Sequence, residues 1–564
     1  VPGDTIESED GHGTDVGESA VRTERERTVE DLVEEFLRGA PEDWTEARLS
    51  WTEDDHGLTS SSGFRVPDGS WQVPRGRGKY RFLLAPARAL RVPGGPPGGT
   101  GELVCEPGGA YRLVVAPGTT VRRDPGSGGC LIVLDPDARL PEPGREEEVG
   151  TAPPAGDPAE AVALFRAIMA RRAALLGGPE RLPAPAAESA IAEAERRLGV
   201  RLPADLRALY ALADGDTVDG WHRWLLVEGG WLSLDRLVAV HEQQRGPDWT
   251  GWSLAWRAVI LDADPPGRVR RCTGDPTRIP FLTGEDGNYV AVDLAPARRG
   301  RPGQVIGIGR DHAYGAAHLA ESVTALLRRV LGELERGAYE VDDGNVWLDS
   351  SLRGAARPPS PGSVEERPGP RTQEVLHHAE GGGPVDLAAL AGASALRRVG
   401  LHGGAAARDL GPLRETPVES LTTAVTGTAL APLAGHPRLR ALRLTGADAP
   451  VDLAPLRTVP GLCGLDLRAV PLADPAVLAE LTGLRYLALD RDQWAALLRA
   501  GGPTADLAAA LLAGPNASLD EALALAARLG RPLEAYRAER AGPASARGGE
   551  QSATPRSPGT PAPT

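Results

Sequence analysis

The sequence predicts an α+β multidomain chain: a small α+β N-terminal domain, a larger α+β domain in the middle, and a stacked-repeat solenoid toward the C-terminus. Three observations predict it. Amphipathic helical segments and short strand-like runs alternate up to about residue 349. Two stretches dense in Pro, Gly and charge, 136–158 and 350–373, break the chain. From 374 onward leucine recurs with a fixed long period. A length of 564 residues accommodates three or four domains, each with its own core.

The net charge of −15 disfavours sequence-independent nucleic-acid binding, which needs a basic field, and suits basic or cationic partners. Lys79 is the one lysine among 62 basic residues, and Ala, Gly and Pro abound. That is the bias of a GC-rich genome, so arginine is not read as selected for binding. Cys105, Cys130, Cys272 and Cys463 are scattered, without a C-x-x-C pair or a neighbouring His, which argues against a disulfide frame or structural zinc. Apolar runs such as Leu131–Leu134 are too short to span a bilayer, and VPGDTIESEDGHGTD lacks the basic-then-apolar order of a signal peptide. A cytoplasmic location with no membrane association is expected.

Residues 1–27 are acidic and aperiodic and are expected to be disordered. In the small α+β domain, 28–135, Val29, Leu32, Val33, Phe36 and Leu37 form a helical face that Gly39 and Pro41 stop. YRFLLA, GELVC, YRLVVA and CLIVLD then read as strands of a small, mostly antiparallel sheet. Pro41–Ala47, after the first helix, bears a slight resemblance to a family of bacterial immunity proteins. The middle domain, 159–349, opens with a helix over 159–176. Ile191, Glu195 and Leu198 repeat at helical spacing with Ala194 between them, and Gly199 is placed to end that helix in the left-handed conformation. Pro203 starts a second helix, whose stripe is Leu206, Leu209, Tyr210 and Leu212 before Gly215.

This helix pair, with its Ile–x3–Glu–x2–Leu-Gly wording, its Leu-Pro link and its closing Asp-Gly, resembles the SUKH superfamily, which is related to the fungal Smi/Knr regulators of cell-wall assembly. Arg278 to His312 agrees with it: Ile279-Pro280-Phe281, Gly287-Asn288-Tyr289, Val292-Asp293-Leu294 and Gly303-Gln304-Val305-Ile306 look like that family's central strands and turns, in order. The helix over 319–334 and Gly337-Ala338-Tyr339 resemble its closing helix and terminal strand. The resemblance covers about 160–349.

Over 374–500, L-x-x-L-x-L-like starts fall at Leu396, Val418, Leu439, Leu462 and Leu484, spaced 22, 21, 23 and 22 residues apart. This is the leucine-rich-repeat signature. One copy cannot bury its own apolar face, so the copies must stack. Leu507 to Arg540 reads as helical, with Ser518 and Glu521 at capping-box spacing, and 501–541 is expected to be a helical cap. The tail 542–564 is Ser, Pro, Thr and Gly and is expected to be disordered.

Chemistry is sparse. Asp262 and Asp264 in VILDADPPG have the spacing of a divalent-metal pair, the one basis for an enzyme reading, but no nucleotide-binding β-α unit precedes them and Pro265-Pro266 makes the stretch a turn. Gly307-Ile-Gly309 lacks a third glycine and a following helix and reads as a turn. Asp342-Asp343-Gly344-Asn345 has calcium-like residue types without the twelve-position loop and reads as a hairpin turn. Neighbours His377 and His378 cannot converge on one ion, and no histidine has a nucleophile at triad spacing. No catalytic, cofactor-binding or metal residue is assigned.

Aromatics are more telling. Six of eleven tryptophans lie at 221, 224, 231, 249, 252 and 256, and tryptophan concentrates at energetic centres of interfaces. Trp221 and Trp224, just past an Asp-Gly turn, are expected on the rim of a cleft. With Trp231, and Asp286 and Asn288 of the strand turn, they form the protein-binding set expected in the middle domain. In the repeats, residues flanking the strand leucines face the concave side, and Arg443, Asp466 and Tyr486 are its expected contacts. Resemblance to the bacterial SUKH branch implies an immunity protein that neutralises a toxin or effector domain by occlusion. Resemblance to the fungal branch implies instead a regulatory scaffold with no toxin. Neither says anything about oligomeric state.

Overall fold

The computed structural model describes residues 13–541 apart from 55–56, 74–80, 125–127, 139–141, 146, 227–228, 244–258, 273, 285, 313, 343–344, 349–361, 363, 365–367, 380–382, 426–429 and 515–516. The chain divides into two units, 1–134 with 512–564, and 135–511. Mixed helices and sheets make it an α+β multidomain protein.

In the first unit, an antiparallel sheet runs in the order Tyr536–Arg540, Tyr111–Pro117, Gly99–Cys105, Glu46–Asp54, Gly57–Arg65, Trp71–Gln72. The expected helical face forms, with Val29, Leu32 and Phe36 packed on Leu49, Trp51 and Phe64. The helix begins earlier than expected, at Gly13, and takes in part of the stretch read as disordered. Of YRFLLA, the residues from Arg81 on belong to a helix, Arg81–Ala89, not a strand. Its continuing spacing decides this, because Leu83, Ala87 and Leu90 fall on one buried stripe that a six-residue run does not reveal. Leu507 to Arg540 is likewise not one helical stretch. It contains a strand, Ala509–Leu512, then the Leu519–Arg528 helix, whose Ser518–Glu521 capping box is formed. It ends in Tyr536–Arg540, which pairs antiparallel with Tyr111–Val115 as an edge of the N-terminal sheet.

In the second unit, the Pro158–Leu176, Glu188–Leu198 and Ala204–Tyr210 helices pack against an antiparallel sheet ordered Gly230–Trp231, Arg278–Thr283, Asn288–Asp293, Gln304–Gly309, Ala317–Ala320. Gly199 ends its helix at φ 75°, the left-handed conformation that its place in the sequence predicts. Gly307 and Gly309 lie within a strand rather than a turn, paired with Val290 and Asn288. The Val323–Arg336 helix closes the core, and the Tyr339–Asp342 and Asn345–Leu348 strands form a hairpin. The described residues of 136–158 are laid along this domain rather than spanning free space. Gly144 donates to the Arg271 carbonyl at 3.2 Å, Gly150 to Pro296 at 2.9 Å, and Asp157 N–H to Thr324 Oγ1 at 2.9 Å. Gly150 lies so close to the Ala297 and Gly300 carbonyls that any side chain there would clash with backbone.

From Glu374 the strands run parallel: Glu374–His378, Arg398–His402, Ser420–Val425, Ala441–Ala447, Gly464–Asp466, Tyr486–Leu489. One hydrogen-bond device repeats along them. The carbonyls of Gln373, Arg397, Glu419, Arg440, Cys463 and Arg485 each accept two successive N–H groups from the next coil. Short 3-10 turns return the chain, and Leu390, Leu413, Leu433, Leu456 and Leu478 point inward from them. The ladder begins one coil before Leu396, at the strand carrying His377 and His378.

Candidate interaction surface

Thr217–Val218 and Trp221–His222 pair across Asp219-Gly220, whose φ values of 55° and 84° suit the left-handed pair of a tight hairpin turn. Asp216, wholly buried, anchors this hairpin. Its Oδ1 lies 2.6 Å from His222 Nδ1, its Oδ2 accepts the Leu225 N–H at 3.3 Å, and its carbonyl accepts the Arg223 N–H at 3.2 Å. The His222 ring lies on Gly230, where a Cβ would collide with it. So braced, Trp221 stands 77% exposed, which few large apolar side chains do.

Trp224 follows with φ 51°, a backbone region that bulky side chains avoid and that persists only where the surroundings hold it. Its indole meets Trp347 of the second hairpin at 5.7 Å between centroids, with the rings tilted by 46°, and His222 at 6.4 Å. Beneath lies Arg172, 1% exposed. Its Nε and Nη2 donate to Glu180 at 2.7 and 2.9 Å, its Nη1 to the Val346 carbonyl at 3.1 Å, and its Nη2 to the Arg223 carbonyl at 3.3 Å. One buried, charge-paired guanidinium therefore fixes the peptide groups immediately before Trp347 and before Trp224. The outcome is a pre-organised aromatic ledge.

The other expected contacts are distributed differently. Trp231 is a core residue with no exposed surface, packed between Phe165 and Tyr210 at 5.8 and 5.2 Å, and this corrects its grouping with the rim tryptophans. Trp249, Trp252 and Trp256 lie outside the described residues. Asp286 and Asn288 form a self-satisfied turn: Asp286 Oδ1 accepts the Asn288 N–H at 2.9 Å, and Asn288 Nδ2 donates to Asp286 at 3.0 Å and Asp311 at 2.7 Å. The bond from Asn288 and, after it, one from Arg310 Nε at 3.4 Å hold the Asp311 carboxyl below its ordinary range. On the ladder, Arg443 Nε and Arg468 Nη2 reach Asp466 Oδ2 at 3.4 and 2.9 Å. Asp466 and Tyr486 are buried, so of that set Arg443 alone keeps appreciable exposure. Asp262 closes a turn, accepting the Gly267 N–H at 3.0 and 3.2 Å, while Asp264 faces Arg371 at 3.8 Å. The two carboxylates thus serve different partners, and among the described residues no three His, Cys, Asp or Glu side chains gather as metal ligands. Nor is any described helix long and apolar enough to cross a membrane.

Arg172, Glu180, Asp216 and Trp347 escaped the sequence reading. Arg172 left a signal, since it continues the stripe of Ala161, Phe165 and Ile168, and an arginine on an apolar stripe needs a buried partner.

The helix-backed antiparallel sheet that carries the ledge defines the class of this region, an α+β domain. Residues 185–329 match the SMI1 / KNR4 family (SUKH-1), so the chain carries a SMI1/KNR4 domain there. A glucan synthesis regulatory protein of Neurospora crassa is 28% identical over 182 residues, covering 27% of this chain and 34% of that one. A cell wall biosynthesis/cell cycle regulator of Schizosaccharomyces pombe is 30% identical over 172 residues, covering 29% and 33%. The chain thus spans about a third of the length of these relatives. An internalin structure from Listeria monocytogenes is 27% identical with a TM-score of 0.16, covering 18% of this chain and 31% of that one, a likeness that bears on nothing further.

Proposed function

We propose that this chain is a non-catalytic regulatory scaffold of the Smi/Knr type, which binds protein partners through its SMI1/KNR4 domain and presents a leucine-rich-repeat array beside it. The observation that carries the reading is the family match over 185–329, to which belong relatives named as regulators of glucan synthesis and cell-wall biosynthesis. Those names favour regulation over toxin immunity, and neither relative is named for immunity. The repeat assignment is supported by the 21–23-residue spacing of the strand starts and by the parallel ladder with one inward leucine per return turn. The ledge at Trp221, Trp224 and Trp347 supplies the interaction surface, since a rigid exposed tryptophan gains contact area at low entropy cost.

The test is capture of partners by the tagged full chain from its own host, in parallel with Trp221→Ser, read by mass spectrometry. The expected result is a small set of envelope or signalling proteins that Trp221→Ser fails to retain. A single stoichiometric toxin domain, whose growth inhibition this chain relieves, would replace the scaffold with immunity.

A further inference from the structure

The geometry points to a cationic partner segment: we infer that the ledge of Trp224 and Trp347, bordered by Glu340 and Asp342, receives an arginine or lysine side chain of a protein partner. The inference rests on the ledge being the interaction surface and goes on to name the chemistry of what it takes. Glu340 lies directly opposite Trp347 in the Tyr339–Leu348 hairpin, so both side chains leave the same face of that ribbon. Asp342 lies two residues further along the same strand and therefore on the same face. Both carboxylates are exposed, and neither has an ion-pair partner among the described residues.

Arg181 is already 3.7 Å from Asp219, and Arg223 buries its Nε. Two indoles 5.7 Å apart and tilted by 46° present their negative π faces at an angle to one another, a shape that suits a cation between or over them better than a flat apolar surface does. A chain of net charge −15 steers such a partner toward itself. The buried Arg172–Glu180 pair completes the case. It is a positioning pair that touches no partner, and it holds the peptide before each indole so that the ring angle is set before binding.

The experiment is selection of a phage-displayed random dodecapeptide library on the intact full chain, followed by affinity measurement of the selected synthetic peptides by fluorescence anisotropy. Peptides sharing an Arg or Lys at one position are expected. Their affinity should fall about tenfold in the Glu340→Lys/Asp342→Lys variant, a change confined to exposed side chains that leaves the fold intact, and should be lost in Trp347→Ala. Selected peptides with no shared cation, cationic peptides bound equally by the double charge reversal, or no enrichment at all would overturn the inference. Apolar or acidic peptides that Trp221→Ser releases would overturn it while leaving the ledge as an interaction surface. Peptides indifferent to every ledge substitution would remove both.

Discussion

Two buried arginines of the second unit do different work. Arg172 faces Glu180 and has the Arg223 and Val346 carbonyls as its remaining acceptors, so it sets local shape in one domain. Arg271 pairs with Glu419 by two bonds of 2.7 Å and with the Ile260 carbonyl at 2.9 Å, so it ties a loop of the SMI1/KNR4 domain to the parallel ladder. Around it, Gln373 and Asp262 exchange reciprocal bonds of 2.7 and 2.9 Å, and Arg398 lies 5.0 Å over the Tyr314 ring. The difference is redundancy. Glu419 also meets Arg397 at 3.3 Å, whereas Glu180 pairs with Arg172 alone among the described residues.

Redundancy predicts an order of effects. Arg172→Ala strands a buried carboxylate and two carbonyls, and should cost about 3–5 kcal/mol in denaturant unfolding of the full chain. The same variant should lose partner retention at the ledge even where it stays folded. Arg271→Ala leaves Arg397 on Glu419 and should cost less, about 2–3 kcal/mol. Its distinguishing sign is hydrogen exchange rising together at 259–272 and in the first ladder coils while the Trp221 hairpin stays protected. An equal loss in the two variants, or exchange confined to one side of the junction in Arg271→Ala, would break the comparison.

How much of this was legible in the sequence depends on the range of the interaction. The helix stops and the leucine period are set by neighbours within a turn or a coil, whereas the central strands of the middle domain come through a family resemblance. The stops and the period read directly, as Gly199 and the Ser518–Glu521 box illustrate. Trp221 was legible for the same reason, because a short turn fixes its exposure. Trp231 was not, because its burial is decided by Phe165 and Tyr210 on two separate helices, a packing that no local period marks. Nor was the return of Tyr536–Arg540 to Tyr111, or the pairing of Glu419 with Arg271. A partner more than a hundred residues distant leaves no local period.

Smaller effects separate the two regions by pH. His312 and His318 in the SMI1/KNR4 domain and His402 and His436 in the ladder are all held below the ordinary value of 6.5, burial being the main cause in each. Near that pH the unfolded chain therefore binds more protons than the folded one. Stability is full above about 6.5 and is lost as pH falls through it toward the folded values. Asp262, Asp293, Glu374 and Asp466 are raised by burial and act in the opposite sense, their contribution being lost as pH rises through the raised values. His436 isolates the histidine effect, because its Nδ1 accepts from the Arg438 and Leu439 N–H groups at 3.3 and 3.0 Å and loses both bonds on protonation. His436→Gln should flatten the fall in unfolding midpoint between about pH 7.5 and 5.5 for the ladder and leave that of the other domain in place. At the far end of the scale stands Arg457–Glu480, a surface pair joined by two bonds of 2.6 and 2.8 Å. Bidentate geometry alone does not stabilise a coil when water competes for both ions, so Arg457→Gln should leave the midpoint unmoved. A clear drop there would mean that neighbouring coils are held together by their outer charges as well as by the leucines inside.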